Sequence, residues 1–269
     1  MNLYAIPPFA LLAAAIVLAP VIVCGGQWYL HGRLGLRRFF VDNDVAGFII
    51  AVVGTLYAVL LGFMTVEVWD HYETARLHVW AESASVADVW HDAVGLPAQP
   101  RVRVRADMLA YAHTMIDEEW PAMRTGGFSV RGDELIMDVA TAVGQYVPKN
   151  LGESNAQAAI IARVNELHDA RGSRLATNAE GISRFQWIVL VIGALVVLMF
   201  CYTFSVSNLG AHLLMTGLVT ILIAAMFVLL FELQYPFRSS LGITPEAWSA
   251  LLTHIDAMDR MPGPMSSMH

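Results

Sequence analysis

Charged residues are scarce in this chain: they make up 14% of its 269 residues, whereas hydrophobic residues make up 57%. A soluble domain carries roughly 25% charged residues, so this composition excludes a single water-soluble globule. Basic residues are also too few for a nucleic-acid partner. The 16 Lys and Arg against 23 Asp and Glu leave a net charge of −7, and phosphate binding needs a basic face. We therefore expect no nucleic acid among the partners.

Cysteine and catalytic motifs are nearly absent as well. The two cysteines, Cys24 and Cys201, both lie in apolar runs, which excludes a disulfide framework and a thiolate metal cluster. The chain has no phosphate-binding glycine loop, no Gly-x-Ser-x-Gly elbow and no HExxH motif. We accordingly predict no enzymatic activity, no catalytic residue and no cofactor.

Short groups of His and acidic residues come nearest to a metal site. His113 and Asp117 lie one helical turn apart, and Glu118 and Glu119 follow directly. This spacing can hold a divalent ion on one helix face, but no second His or Cys is placed to complete the site. The group around His168 has the same weakness. Solvated helix surface is the preferred interpretation of both groups, and no metal site is predicted.

The chain does have four apolar stretches, each about as long as the ~20 residues that cross a bilayer. They cover residues 6–29, 45–66, 185–206 and 210–231. The first is too long for a signal peptide and no Lys or Arg precedes it, while Asn208 and Gly210 predict a tight turn between the last two. The sequence therefore predicts an all-α integral membrane protein with four transmembrane helices in two hairpins and a helical extramembrane domain between helices 2 and 3.

The apolar runs divide the chain into five parts. These are 1–44 (a first transmembrane helix and a short loop with arginines), 45–66 (the second transmembrane helix), 67–184 (the helical extramembrane domain), 185–234 (a transmembrane hairpin) and 235–269 (a short helix and a disordered tail). The lipid bilayer is thus the first partner that the sequence predicts.

The insert 67–184 has helical periodicity throughout. No proline occurs between Val45 and Leu96, so the second transmembrane helix is predicted to continue out of the bilayer as one rod, on the order of 75 Å long for ~50 residues. Ser129 is predicted to cap one helix, and Ser154 to begin another.

Apolar positions in the insert recur at helical spacings and need a partner to bury them. They include Val79, Ala87 and Val94 on the rod, Leu109, Ala112 and Ile116 on the following helix, and Ile160, Val164 and Leu167 on the last. We therefore predict a helical bundle continuous with the membrane helices, in which no independent catalytic domain is built.

The charges near the spans bear on orientation. Arg33, Arg37 and Arg38 crowd into the first short loop, and the positive-inside rule places such a loop in the cytoplasm. The arginines of the insert are spread over a much longer stretch of sequence than those of the short loop. This distribution leans towards an extracytoplasmic insert and leaves its side unresolved.

The second span carries a strip of small residues. Its members are Gly47, Ala51, Gly54, Thr55, Ala58 and Gly62. They fall within roughly a quarter of the helix circumference. The preferred interpretation is a helix-packing seam, because small residues let backbones approach where lipid offers no hydrophobic drive. The alternative is the lining of a central pore, and both hold if copies pack around one axis. In the fourth span Gly210, Gly217 and Ala224 predict a second seam.

Acidic residues follow the second span directly. Glu67 and Asp70 could gather cations at a pore mouth, as acidic rings do in cation channels. Glu67 lies almost opposite the small-residue strip on the helical wheel, and Asp70 is also off it. Solvated charge at the membrane interface is therefore the preferred interpretation, and the pore mouth is the alternative.

Short segments that form a shared pattern lie along the chain from about residue 43 to 250. They are Asn43 to Phe48, Val53-Gly54, Tyr57 to Phe63, Val68 to Asp70, Glu118 to Pro121, Asn165 to Leu167, Asp169 to Arg171, Pro236-Phe237 and Pro245 to Ala247. In order and spacing these segments resemble a bacterial family of membrane proteins with a bestrophin-like domain of unknown function. The resemblance implies a multi-pass protein of the bacterial inner membrane.

Bestrophins are homo-pentameric anion channels with four membrane helices per subunit and a helical domain outside the bilayer. The resemblance thus implies a homo-oligomer, a pentamer by analogy. This sequence lacks a neck of consecutive aromatic residues in the second span, and the bestrophin domain is cytoplasmic, contrary to the charge distribution here. The leading hypothesis is an oligomeric ion channel whose pore is lined by the second span. The alternative is a non-catalytic scaffold or accessory subunit of another membrane complex.

Overall fold

The computed structural model describes residues 4, 6–34, 43–204 and 208–260. The helices of these ranges are α1 (Pro8–Leu34), α2 (Asn43–Asp92), α3 (Ala98–Thr114), α4 (Trp120–Met123), α5 (Val130–Gly144), α6 (Leu151–Ala179), α7 (Arg184–Thr203), α8 (Leu209–Leu233) and α9 (Glu246–Asp259). A π-helical turn (Met115–Glu119) joins α3 to α4, and no strand occurs in the described ranges. The prediction of an all-α chain is confirmed for these residues.

Helix α2 is one unbroken helix of 50 residues. A short 3₁₀ turn, Ala93–Gly95, follows it, and Leu96 then takes an extended backbone conformation with φ −90° and ψ 154°. The residue before a proline is biased to this conformation, and Pro97 follows here. The predicted unbroken helix is therefore confirmed, and its exit from the bilayer stays a prediction.

Helix caps account for the starts of α5 and α6. The Ser129 side chain accepts a hydrogen bond from the backbone N–H of Arg131, as predicted. The start of α6 was predicted wrongly at Ser154. Instead, the side chain of Asn150 accepts from the backbone N–H of Glu153 at 2.9 Å, so the helix begins one turn earlier.

The chain divides into two compact units. The apolar unit comprises Met1–Tyr72, Gly181–Tyr235 and Ser239–Leu241, and the polar unit comprises Glu73–Glu180, Pro236–Arg238 and Gly242–His269. Helix α2 therefore contributes its first part to one unit and its last part to the other. The five-part division drawn from hydropathy, including the boundaries at 66 and 184, stays a prediction.

The apolar unit contains four segments long and apolar enough to cross a membrane. They lie within Pro8–His31, Asp44–Gly95, Leu151–Thr203 and Leu209–Leu233. Large apolar side chains such as Phe48 and Phe63 are more than 70% exposed here. Apolar surface of this extent is unfavourable in water, so these helices need a lipid or protein environment.

Close approaches of small residues connect the helices of the apolar unit. A Cβ placed on Gly193 of α7 would lie 2.5 Å from the Tyr57 ring of α2, and one on Gly217 of α8 would lie 3.5 Å from Cys24 Sγ of α1. The Tyr57 hydroxyl also donates to the Leu190 carbonyl at 3.1 Å. The predicted seam of α8 thus meets α1 at Gly217.

The polar unit has a closed apolar core. It is formed by Val79, Val86 and Val89 of α2, Met108 and Ala112 of α3, Val139 of α5, Ile160, Val164 and Leu167 of α6, and Trp248 of α9. The predicted apolar faces of α3 and α6 are confirmed. Val94 was predicted wrongly as a core position: it is 51% exposed because it falls in the 3₁₀ turn after α2, where the helical register ends.

Candidate functional site

The small-residue strip of α2 is largely uncovered by the rest of the chain. Ala51, Thr55, Ala58 and Gly62 are exposed, and Gly47 and Gly54 are half-buried. The face of α2 that packs on α7 and α8 consists of Tyr57, Leu61, Met64 and Val68. At 100° per residue the strip lies about 90° around the helix from that face. The strip therefore lies next to the surface of α2 that contacts α7 and α8, but it is not part of that surface.

An apolar groove of 460 Å³ runs between the strip and α8. Gly54, Ala58 and Gly62 form one wall, and Leu222 and Met226 form the opposite one. A Cβ placed on Gly54 or Gly62 would meet no atom within 4 Å. The strip consequently has room for another helix or for a solvent-filled passage.

The acidic residues after the strip face elsewhere. Glu67 accepts a hydrogen bond from Gln186 of α7, with its two oxygens 3.3 and 3.4 Å from Nε2. Asp70 is exposed. Trp69 and Tyr72 lie beside them with ring centroids 6.3 Å apart, as in the aromatic belt of a membrane interface. The structure thus brings Glu67 towards α7 rather than towards the strip.

A polar contact within the apolar unit escaped the sequence analysis. Nε2 of His212 lies 2.9 Å from Nε2 of Gln27 and 2.8 Å from the carbonyl oxygen of Cys201. Both side chains are buried. An uncharged glutamine in an apolar run gives no sequence signal of its own. This contact ties α1 and α7 to the first turn of α8.

The polar unit contains a buried ion-pair cluster, which we define as Glu82, Tyr111, Glu119, Arg171 and Arg174. Every member is at most 1% exposed. Arg174 binds Glu82 through Nε and Nη2, and its Nη2 also lies 3.2 Å from Glu119. Arg171 Nη1 donates to Glu119 at 2.9 Å, and the Tyr111 hydroxyl donates to Glu82 at 2.5 Å. Two acids and two bases leave the cluster formally neutral.

Groups at the edge of the cluster complete its hydrogen bonds. Arg171 donates to Asp133 and to the Ser129 carbonyl, each at 2.8 Å, and Glu119 accepts the Ser129 N–H at 2.8 Å. Gly132 makes room for Arg171, since a Cβ there would lie 2.7 Å from the guanidinium. Paired and hydrogen-bonded burial of this kind is the condition under which a charged group is kept inside a protein.

The pKa values in the cluster follow from burial and charge. Burial, together with the neighbouring Glu82 carboxylate, raises the pKa of Tyr111 well above its ordinary value. Burial opposes the charge on Arg174, yet Glu82 and Glu119 outweigh it and raise the arginine pKa. Tyr111 therefore stays neutral and Arg174 stays charged across the physiological range.

The solvated interpretation of the acids after His113 was wrong for Glu119. Glu119 lies four residues after the buried Met115 and seven after the buried Ala112, and it is itself buried. Glu118, in the same π-helical turn, is exposed and accepts from the Ser129 hydroxyl at 3.0 Å. The spacing of Glu119 from Met115 is the sequence signal that places it on the buried face.

A sequence signal for the cluster does exist. Arg171 and Arg174 continue the apolar face of Ile160, Val164 and Leu167 at spacings of three and four, and Glu82 continues the face of Val79 in the same way. A charged residue in register with a buried face predicts a buried partner of opposite charge. Among the residues that the structure describes, no group of three or more His, Cys, Asp or Glu could hold a metal ion.

Comparisons with known proteins agree with this architecture. A family described as the bestrophin-like domain matches residues 17–248. A bacterial bestrophin homologue from Klebsiella pneumoniae is similar in structure, with a TM-score of 0.66 and 14% identity over 94% of this chain and 99% of that one. A variant of that homologue gives a TM-score of 0.67 at 12% identity over 93% and 98%. No curated protein matches the sequence.

Identities of this size establish the fold alone, whereas the family match extends over most of the chain. With its four apolar segments, the chain is a multi-pass membrane protein. It belongs to the bestrophin-like family.

Proposed function

We propose that the chain is a subunit of a homo-oligomeric ion channel whose pore is lined by α2. The observation that carries this proposal is the uncovered small-residue strip in the apolar unit. Gly193 and Gly217 of the same unit, by contrast, face Tyr57 and Cys24. Ala51, Thr55, Ala58 and Gly62 of the strip are exposed in the described part of the chain, and the proposal places their partner in another copy or across an axis.

The geometry of α2 suits a closed ring. One face packs within the chain, the strip lies about 90° away, and a third face carries the exposed side chains of Phe48, Leu56 and Phe63. In a ring with cyclic symmetry each subunit uses two different surfaces, one for each neighbour. The strip then faces the axis or the nearer neighbour, and the bulky face meets the other neighbour or lipid. A pentamer is the number implied by analogy with bestrophins.

The acids at the end of the strip take a secondary part in this proposal. Glu67 is engaged by Gln186, so we place it at the membrane interface. Asp70 is exposed and is the better candidate for a pore mouth.

The proposal includes a bacterial inner-membrane location with no enzymatic activity, no cofactor and no metal. The arginines of the first short loop favour an extracytoplasmic polar unit, and the bestrophin analogy favours a cytoplasmic one.

The alternative function uses the same strip for another purpose. A scaffold or accessory subunit would dock the strip onto a different membrane complex, and its own copies would not associate. Small residues suit either partner, because both require close backbone approach.

Two measurements on the purified full-length protein separate these functions. The oligomeric state in mild detergent is expected to be a closed homo-oligomer, and liposomes containing the protein are expected to dissipate an anion or a cation gradient. A monomer that is recovered only with a different complex, together with silent liposomes, would contradict the channel and favour the scaffold.

A further inference from the structure

A second apolar groove lies on the apolar unit, formed by α1, α7 and α8. Its volume is 480 Å³. Its walls include Leu11, Ala15 and Ala19 of α1, Val191 and Leu195 of α7, and Phe227 of α8. The side chains of Trp187 and Phe227 meet edge to face at its end, with centroids 5.8 Å apart. The groove therefore offers an apolar ligand a long and narrow contact surface.

The length of the groove matches one leaflet of a bilayer. On α1 the walls extend from Leu11 to Val23, which is ~18 Å along the helix. On α7 they extend from Trp187 to Leu198, which is ~16 Å. Half of a hydrocarbon core that is about 30 Å thick is about 15 Å. A chain entering beside Trp187 would thus reach the midplane at the other end of the groove.

The end beside Trp187 has the chemistry of a headgroup site. The indole N–H donates to Gln234 at 3.1 Å, so the ring is held in place at the level where tryptophans meet the membrane interface. Arg184 lies one turn earlier on the same face of α7 and is exposed. A guanidinium at this position suits the phosphate of an anionic lipid.

We propose that this groove binds one acyl chain of an anionic phospholipid, with the lipid phosphate at Arg184. Two observations favour this occupant. The groove is about as long as one leaflet along both α1 and α7, and the exposed guanidinium of Arg184 lies one turn before Trp187, where a lipid phosphate would sit.

Photolabelling of the full-length protein tests the site. The protein is reconstituted in nanodiscs of phosphatidylglycerol or phosphatidylcholine with identical chains, each containing a trace of lipid with a diazirine on the acyl chain. We expect adducts on the α7 segment from Val191 to Leu198 and more labelling from phosphatidylglycerol. Adducts spread evenly over all lipid-facing helices would contradict a specific site, as would adducts that join this segment to another copy.

Matched variants sharpen the test. Ala15→Phe fills the groove and should lower the labelling about ten-fold, since an overpacked site no longer admits the chain. Ala14→Phe makes the same change at an exposed neighbouring position and should leave labelling unchanged. Arg184→Gln should remove the preference for phosphatidylglycerol while chain labelling persists. Equal labelling of both Phe variants, or a preference that survives Arg184→Gln, would overturn the assignment whether or not the protein conducts ions.

Discussion

The two units of this molecule differ in what they bury and what they expose. In the polar unit, the charges of Glu82, Glu119, Arg171 and Arg174 are buried and find their partners within the chain. In the apolar unit, large side chains such as Phe48 stay exposed, and strip residues such as Ala58 are exposed as well. The polar unit thus pairs its buried charges internally, whereas the apolar unit needs a lipid or protein environment for its exposed side chains.

This contrast has an energetic basis. A buried ion pair often contributes little net stability compared with apolar residues of similar size, but the loss of one partner leaves a costly uncompensated charge. A small-residue contact between membrane helices depends on close van der Waals packing, so it is sensitive to added volume. Removal of charge should therefore damage the polar unit, and addition of volume should damage the assembly.

The largest expected effect is the loss of Arg174. Arg174→Met leaves the buried Glu82 and Glu119 with one fewer cation, which should destabilise the polar unit by about 3–5 kcal/mol. The apparent melting temperature of the purified full-length protein in detergent should fall by on the order of 10 °C.

Arg163→Met is the matched control for this change. Arg163 lies on the same helix and forms exposed ion pairs with Glu166 at 2.7 Å and Asp88 at 3.6 Å. Exposed pairs contribute about 0–1 kcal/mol, so this variant should melt close to the wild type. Similar melting of the two variants would mean that the cluster is not a source of stability.

The next effect concerns the strip. Ala58→Leu should cost about 1–3 kcal/mol for each overpacked contact between copies, whereas Val52→Leu, on a different face of α2, should be tolerated. Because Ala58 is exposed in the single chain, the melting of the subunit should be unchanged while the oligomer fraction and liposome flux fall. Oligomer fraction is read by size-exclusion chromatography with light scattering.

Gly193 supplies the intramolecular counterpart of this test. A Cβ there would meet the Tyr57 ring at 2.5 Å, so Gly193→Leu should lower the melting temperature of the subunit itself.

If Ala58→Leu and Val52→Leu both assemble and conduct as the wild type does, the strip is neither a seam nor a pore lining.

The sequence predicts those parts of the fold that depend on local chemistry. The absence of proline between Val45 and Leu96 predicts the length of α2, and the side chain of Ser129 predicts the N-cap of α5. Both signals are local, since a proline or a cap affects only the helical turn next to it. The π-helical turn before Trp120 has no comparable local signal. Small residues suit a seam and a lining equally, so the residue types of the strip do not separate these two roles.

A smaller effect tests the corrected start of α6. Asn150→Ala removes the cap on Glu153 N–H and should cost about 1 kcal/mol. Ser154→Ala changes an exposed residue inside the helix and should be neutral or slightly stabilising, since alanine has the higher helix propensity. Thermal unfolding followed by circular dichroism at 222 nm compares the two. An equal or larger loss for Ser154→Ala would restore Ser154 as the functional cap.

The smallest effect is a pH dependence at the same corner of the polar unit. Hydrogen bonds from the Tyr146 hydroxyl and from the Lys149 N–H lower the pKa of Glu153 below its ordinary value of 4.5. Because the folded-state pKa is the lower one, the stabilisation is present above pH 4.5 and disappears as the pH falls through the folded-state value. Glu153→Gln, which imitates the protonated acid, should therefore melt below the wild type at pH 7.

This difference should shrink as the pH falls below 4.5. Asp107→Asn provides a control of opposite sign, because burial raises the pKa of Asp107. The wild-type carboxylate opposes folding at neutral pH in that case, so Asp107→Asn should melt above the wild type at pH 7 and converge with it on acidification. Melting curves of the three proteins at several pH values check both signs. Parallel curves for the wild type and Glu153→Gln would show that the hydrogen bonds around Glu153 do not favour its charged form.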